Sequence, residues 1–168
     1  HIPRDMAKVA SPVRSAITAC IAGEKPWPLL LVGGPRSGKT SAALCLLDAC
    51  GGRYWTAPDW TRTLARAGDG KLYTKGQDGC DYGVSESTLW TRMEHPWSVV
   101  CVDELEKTSE VADIDGIVER RQGLGLVLVF GGELAAMADV FGASLAGVMA
   151  SGTVLTMTRV GEQGRGKP

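Results

Sequence analysis

The sequence predicts an α/β protein of three layers, in which a parallel β-sheet is covered by helices on both faces. Short, unbroken apolar runs such as 29–32 and 99–102 are typical of strands that are buried on both sides. These runs alternate with segments whose apolar residues recur at helical spacing, and strands that alternate with helices form parallel sheets. A chain of 168 residues is long enough for one such core and too short for two.

The first half of the chain begins with a helix predicted over 11–22. Ser11 suits the N-cap, Pro12 suits the first helical position, and Gly23 ends the apolar face. The next predicted elements are a strand over 29–32, a helix over 39–50, a strand over 53–56 and a helix over 58–67.

Residues 68–84 contain five Gly and three Asp with little periodicity, and this composition predicts a mobile loop. The elements predicted after it are a helix over 85–94, a strand over 98–102, a helix from 111 up to Gly123, a strand over 124–130, helices over 134–141 and 145–150, and a strand over 153–158. The tail 161–168 is Gly-rich and basic, which favours flexibility. We therefore expect one domain over 1–160.

The charge balance limits the kinds of partner. With 18 Lys+Arg against 19 Asp+Glu, the net charge of -1 excludes broad electrostatic adhesion to nucleic acid or to a membrane. No apolar run reaches the roughly 18 residues of a membrane helix, and the first residues lack the pattern of a secretory signal. The five cysteines form no C-x-x-C pair, which favours free thiols. We expect a cytoplasmic protein without a membrane partner.

A phosphate-binding motif follows the first predicted strand. Residues 33–40 fit G-x-x-x-x-G-K-[ST] in full and lie between a buried strand and a helix, the context in which this P-loop (Walker A) motif binds nucleotide. Lys39 is expected to reach the β- and γ-phosphates, and the Thr40 hydroxyl to bind Mg²⁺. The alternative is a glycine turn without function. The residues expected to contact the nucleotide are Gly33, Gly34, Pro35, Arg36, Ser37, Gly38, Lys39, Thr40 and Ser41.

Two acidic residues end the apolar run 99–102. Asp103 and Glu104 are thereby placed at the carboxyl end of a strand, where open α/β sheets bind ligands. Asp103 is expected to hold the Mg²⁺ shell as a Walker-B Asp does, and Glu104 to polarise the attacking water. Lys39, Asp103 and Glu104 are then the candidate catalytic residues, and Thr40 and Asp103 the candidate metal ligands. The alternative is that both acids only begin a solvated acidic face that continues to Asp115.

With these motifs, the chain resembles the DnaC/IstB-like branch of the AAA+ ATPases, the helicase loaders and transposition helper ATPases. Besides 33–40 and 99–104, the strand 54–57 and the closing stretch 141–155 carry the resemblance. It implies a P-loop NTPase sheet with strand order 5-1-4-3-2 and ATP with Mg²⁺ as ligand. It also implies single-stranded DNA and a replicative helicase or transposase as partners, and assembly of several copies. We expect no separate lid domain of the kind found in larger AAA+ proteins.

Two departures from that family bear on catalysis. The polar sensor that usually ends the fourth strand is replaced by Phe130 and Gly131, which offer no side-chain hydrogen bond. The region of the arginine finger, 147–151, contains no Arg. A missing finger costs about 10³ to 10⁵ in rate in related chemistry, so we expect good ATP binding and slow hydrolysis. Arg120 or Arg121 is a candidate replacement acting in a neighbouring copy, although the end of a helix usually leaves Arg in solvent.

The favoured function is therefore an ATPase that controls a DNA-handling partner. One alternative is a small P-loop kinase, which would need an arginine-bearing lid, and the other is a nucleotide-stabilised interaction module without catalysis. Lys71, Tyr73 and Lys75 are candidates for contact with single-stranded DNA. The remaining aromatic residues fit packing better than base stacking: Trp27, Tyr54, Trp55, Trp60, Trp90 and Trp97.

Overall fold

A computed structural model describes residues 11–96 and 98–158. Its helices are α1 (Ser11–Ile21), α2 (Lys39–Cys50), α3 (Ala57–Gly68), α4 (Glu86–Met93), α5 (Val111–Arg120), α6 (Met137–Phe141) and α7 (Ala143–Met149). Its strands are β1 (Leu29–Val32), β2 (Gly52–Thr56), β3 (Tyr73–Lys75), β4 (Asp81–Gly83), β5 (Val99–Asp103), β6 (Leu126–Phe130) and β7 (Thr153–Thr156). Short 3-10 turns occupy Leu105–Lys107 and Leu134–Ala136.

The main sheet has five strands, all parallel, in the order β2-β5-β6-β1-β7. Counted along the chain as strands one to five, and read from the β7 edge, this order is 5-1-4-3-2. The predicted α/β sandwich and its strand order are confirmed. The central strand β1 pairs with β6 on one side and with β7 on the other, so that Leu29 lies opposite both Val127 and Thr153.

The alternation of side chains in β1 divides the core into two apolar clusters. Leu30 and Val32 belong to the cluster that includes residues of α3, α4 and α5, whereas Leu29 and Leu31 belong to the cluster with α1 and α2. All four residues are buried, at most 1% exposed. A strand covered on both faces has no polar side, which is why the sequence of β1 shows no alternation.

Local signals set several helix ends. The Thr56 side chain accepts a hydrogen bond from the Asp59 N–H at the start of α3, and Ser85 accepts one from the Thr88 N–H at the start of α4. Such side-chain acceptors satisfy N–H groups that have no partner inside the helix. At the end of α2, Gly51 takes a φ of 72°, a left-handed conformation that suits glycine.

The expectation of an irregular loop over 68–84 is wrong. Strands β3 and β4 pair there as an antiparallel hairpin, with Thr74 opposite Tyr82. At the turn between them, the Asp78 carboxylate accepts hydrogen bonds from the Cys80 N–H and from the Tyr82 hydroxyl. Both strands have exposed residues only, so the hydrophobic periodicity that identifies a half-buried strand is absent.

Smaller differences concern element ends. The helix predicted over 134–141 is a 3-10 turn followed by α6, α7 begins two residues before the predicted 145, and β7 ends at Thr156. The proposed tail 161–168 lies outside the described residues, as does Trp97. In the part of the chain that the structure describes, no helix is long and apolar enough to cross a bilayer.

Candidate functional site

The turn between β1 and α2 has the backbone of a phosphate-binding loop. Gly33 has a φ of 155°, and a Cβ there would overlap the Met157 carbonyl oxygen, so only glycine fits. Gly38, next to the first residue of α2, has a φ of 86°. Arg36, at the exposed tip of the turn, also takes a left-handed conformation with a φ of 62°. The N-terminus of α2 therefore faces the concave side of a glycine turn, the arrangement that binds phosphate.

The Lys39 side chain folds back onto this turn. Its Nζ donates hydrogen bonds to the Gly34 carbonyl oxygen at 2.6 Å and to the Ser37 Oγ at 3.0 Å. Burial lowers the pKa of Lys39, and the negative charges of Glu106 and Asp103 oppose that shift. Lys39 is thus a buried cation whose contacts are supplied by the loop itself, and phosphate oxygens are stronger acceptors than the carbonyl and hydroxyl it now contacts.

Asp103 is the residue on which the site converges. It is 4% exposed, and its Oδ2 accepts hydrogen bonds from the Thr40 Oγ1 at 2.7 Å and from the Tyr54 hydroxyl at 2.6 Å. Its Oδ1 accepts the Glu104 N–H at 2.7 Å. The structure therefore brings together Thr40 and Asp103, the two predicted metal ligands, although they are 63 positions apart.

Tyr54 was expected only to pack or stack, and it joins the site. It lies on β2, which pairs with β5 in a register that places Thr56 beside Asp103. Burial and the bond to the Asp103 carboxylate raise the pKa of the Tyr54 phenol. The strand order that the family resemblance implies is a partial signal for this contact, because it places the strand of Tyr54 beside the strand that ends at Asp103.

The carboxylate of Glu104 lies away from that convergence. Its Oε1 accepts a hydrogen bond from the Lys107 Nζ at 2.7 Å, and this bond raises the pKa of Lys107. Glu104 itself has a φ of 55°, an uncommon backbone conformation for a residue with a side chain. In this conformation the predicted water-polarising group is an exposed ion-pair partner.

Glu106 is a residue that sequence reasoning left in the acidic stretch. Its Oε1 accepts the Gly131 N–H at 2.9 Å, at the point where β6 ends. Phe130, the last residue of β6, is buried in the apolar core. The end of this strand thus offers no side-chain hydrogen bond of its own, as the sequence indicates, but a carboxylate from another segment is bound there.

Two predictions concern Arg121: that it acts in the site of a neighbouring copy, or that it lies in solvent. Both are wrong. It is 1% exposed, and its guanidinium donates to four carbonyl oxygens, which belong to Met93, His95, Ser98 and Gly125. A group enclosed in this way cannot reach another molecule. Its function is structural, since it connects the end of α4 to the strands β5 and β6.

Arg120 contacts two side chains and remains partly exposed. Its guanidinium lies 4.2 Å from the centre of the Trp90 ring, and its Nε lies 3.5 Å from the Glu94 carboxylate. Trp90 in turn contacts Trp60 edge to face, with ring centres 5.0 Å apart, and Trp60 contacts Trp55 at the same distance. These aromatic residues pack against one another, as the sequence favours.

An open cavity of about 480 Å³ adjoins the glycine turn. Residues 33–35 of the turn, 132–134 after β6 and 156–158 after β7 contribute to its lining. All three segments follow carboxyl ends of parallel strands, which is where ligands bind in open α/β sheets. The cavity provides room beside the loop for a group larger than phosphate.

The chain has the AAA+ P-loop NTPase fold. The solved structures to which it is similar include replication initiators. It matches DnaA from Aquifex aeolicus bound to AMPPCP with a TM-score of 0.68 and 12% identity, over 89% of this chain and 47% of that chain. It matches a DNA replication initiation factor with a TM-score of 0.74 and 10% identity, over 98% of this chain and 52% of that chain.

A third similar structure is the replication initiator DnaA bound to AMPPCP and single-stranded DNA, with a TM-score of 0.67 and 10% identity over 88% of this chain and 46% of that chain. The chain thus spans about half the length of these initiators. No protein-family model matches the sequence, and no curated protein matches it. The similarity is therefore one of fold.

Proposed function

We propose that this protein binds ATP with Mg²⁺ at residues 33–41, hydrolyses it slowly, and uses its nucleotide state to control a DNA-handling partner. The observation that carries the proposal is the contact between Thr40 Oγ1 and Asp103 Oδ2 at 2.7 Å, beside the glycine turn. It joins the end of the P-loop to the acidic end of β5. The similar DnaA structures, which contain AMPPCP, support a nucleotide as the ligand.

The residues at this contact fit Mg²⁺. Mg²⁺ prefers oxygen ligands and is usually bound by one or two carboxylates together with substrate phosphates and water. Thr40 and Asp103 supply a hydroxyl and a carboxylate side by side. Among residues 11–96 and 98–158, no group of three or more His, Cys, Asp or Glu could enclose a metal, so phosphate and water would complete the shell. When bound, Mg²⁺ would neutralise the charge of the phosphates.

The other residues of the loop would bind and orient the phosphates. The backbone N–H groups of Gly34 and of residues 36–41 would provide donors at a helix N-terminus. The Lys39 amine would exchange its bonds to the loop for bonds to the β- and γ-phosphates. Arg36, exposed at the tip, would contact a phosphate or a partner.

Three features support slow hydrolysis. The Glu104 carboxylate is paired with Lys107 and is not free to polarise a water in this conformation. The end of β6 carries no polar side chain, and the region 147–151 has no arginine. The same features favour a second candidate, a module that binds nucleotide and uses the bound state without turnover.

The partner is proposed from the DnaC/IstB resemblance: a replicative helicase or a transposase, in the cytoplasm, with several copies of this chain acting together. The hairpin β3–β4 would contact single-stranded DNA, because Tyr73 is 61% exposed and stands beside Lys71 and Lys75. An exposed aromatic ring beside cations suits stacking on bases. Lys75 also lies 3.6 Å from the Asp81 carboxylate, which reduces its free charge.

Nucleotide binding and turnover should be measured together. ATP and ADP affinities by calorimetry, and phosphate release with and without single-stranded DNA, would be compared for the wild type, Lys39→Ala and Glu104→Gln. Lys25→Ala, at an exposed position outside the loop, is the control for Lys39→Ala. We expect Lys39→Ala to lose nucleotide binding and the control to retain it.

The outcomes separate the candidates. DNA-stimulated hydrolysis supports the proposed function, tight binding without turnover supports the module, and phosphate transfer to an added acceptor supports a kinase. No binding of adenine nucleotide by the wild type, even at millimolar excess, refutes all three.

A further inference from the structure

At the end of β6, the Glu106 carboxylate occupies the space that a side chain at position 131 would fill. Glu106 Oε1 accepts the Gly131 N–H at 2.9 Å. If Gly131 carried a Cβ, that atom would lie 2.6 Å from the Glu106 Oε2 and 2.9 Å from its Oε1, closer than real contacts allow. A side chain at position 131 and the Glu106 carboxylate therefore exclude each other. Glycine at this position makes room for a charged group that comes from the 3-10 turn after β5.

This carboxylate lies next to the phosphate-binding loop. Strand β6 pairs with β1, with Phe130 opposite Val32. One residue further, the Gly33 N–H donates to the Gly132 carbonyl oxygen at 3.0 Å, so the end of β6 is bonded to the start of the loop. The Glu106 carboxylate, bonded to the Gly131 N–H, is therefore held at the strand end that adjoins the start of the loop.

Glu104 and Glu106 thus have different partners. The Glu104 carboxylate is bound to the exposed Lys107 amine. Glu106 is anchored by the Gly131 N–H at the end of β6, beside the strand that leads into the loop. A general base must lie within hydrogen-bond reach of the water that it deprotonates, and a carboxylate held at this strand end is a candidate for that position.

We propose that Glu106 is the catalytic base of this site, the carboxylate that accepts a proton from the attacking water. The inference rests on the proposed function, since it requires that ATP binds at the loop. The water oxygen forms a bond to the γ-phosphorus, and the bond from that phosphorus to the β–γ bridging oxygen breaks. ADP leaves with the bonding electron pair, and the water proton passes to the Glu106 carboxylate.

The test compares two isosteric variants, Glu106→Gln and Glu104→Gln, in single-turnover hydrolysis of γ-labelled ATP with DNA present. Glutamine can still accept the Gly131 N–H through its amide oxygen, so Glu106→Gln removes the base and keeps the contact. We expect Glu106→Gln to lower the rate about 10²-fold or more, the usual size of a general-base contribution, and to lower it more than Glu104→Gln does. Glu110→Gln, at an exposed position before α5, is the control and should keep the wild-type rate.

A second test displaces the Glu106 carboxylate without removing its charge. Gly131→Ala forces the Glu106 carboxylate from its position and should lower the rate as well. Its control is Gly147→Ala, where an added Cβ meets no atom within 4 Å. A structural defect would change the unfolding midpoint of Gly131→Ala along with its rate, so both are measured.

ATP affinity of each variant, measured separately, distinguishes the two proposals. If the wild type binds no ATP, the proposed function itself fails. If ATP binds and Glu106→Gln is as fast as the wild type or faster, or Glu104→Gln suffers the larger loss, Glu106 is not the base. Wild type that binds ATP and never releases phosphate overturns the inference too.

Discussion

Arg121 offers the sharpest test of how this fold is held together. The substitution Arg121→Met keeps a long side chain and removes every donor, so four carbonyl oxygens lose their hydrogen bonds in an enclosed region. Hydrogen bonds to charged groups contribute about 1.5–3 kcal/mol each, but the four share one side chain and their contributions do not add. A buried acceptor that loses its partner costs about 1–3 kcal/mol, so for the four carbonyl oxygens together we expect about 3–5 kcal/mol.

This loss of unfolding free energy is measurable by urea denaturation and by thermal denaturation, both followed through circular dichroism. For a chain of this length, 1 kcal/mol shifts Tm by about 2–4 °C, so Arg121→Met should lower Tm by roughly 10 °C. Arg121→Lys keeps the charge with three donors in place of the planar fork, and its loss should be about half as large. The urea dependence of the unfolding free energy should stay the same, because the surface exposed on unfolding is unchanged.

The neighbouring arginine is the matched control. Arg120→Met removes a contact with the Trp90 ring and a partly exposed ion pair with Glu94, together about 1 kcal/mol. If Arg121→Met unfolds at the same urea concentration as Arg120→Met, the four carbonyl contacts do not stabilise the fold and the structural function assigned to Arg121 is refuted.

Three further predictions concern packing and titration. Gly52→Ala should lower the free energy of unfolding by about 2 kcal/mol, because an added Cβ would overlap the Val99 carbonyl oxygen and a Leu47 methyl group. Equal stability of Gly52→Ala and Gly147→Ala in denaturation would contradict this prediction. A thiol reagent should label the exposed Cys80 in the native protein. Cys20 and Cys101 are buried, and burial raises the pKa of both thiols, so they should react only on unfolding. Rapid labelling of Cys101 in the native protein would show that the core opens. Ultraviolet titration should reveal two phenols that ionise above the ordinary pKa of 10.0, namely Tyr54 and Tyr82, whose pKa the bond to Asp78 raises. The stability that Tyr54 contributes is complete below pH 10.0 and is lost as the pH rises further; if the phenol that is missing in Tyr54→Phe ionises at the ordinary pKa, the Asp103 contact is excluded.

Much of the architecture could be predicted from the sequence, because its signals are local. Four consecutive apolar residues are sufficient for β1, and the glycines and Lys39 that follow are sufficient to predict a turn that closes around phosphate. Asp103 is placed at the carboxyl end of a strand simply because the apolar run stops there. The strand order, by contrast, was available only through the resemblance to a family, since periodicity contains no information on which strands are neighbours.

The hairpin shows where local signals fail. Its strands, Tyr73–Lys75 and Asp81–Gly83, are three residues each and fully exposed, so no apolar alternation marks them. They are held by backbone pairing and by the contacts of Asp78 at the turn. Hydrogen bonds between main-chain groups are available to every sequence, and composition alone therefore could not distinguish this hairpin from a loop.

The sequence by itself determined the glycine turn after β1, the acidic strand end and the layers of the core. Only the tertiary structure decided that Tyr54 and Thr40 share the Asp103 carboxylate, that Glu106 and not Glu104 is anchored beside the loop, and that Arg121 is enclosed. Each of these contacts joins residues that are 23 or more positions apart along the chain, apart from the bond of Arg121 to Gly125. Sequence periodicity reports the neighbours of a residue within its own helix or strand, whereas the chemistry of this site arises where the ends of different strands meet.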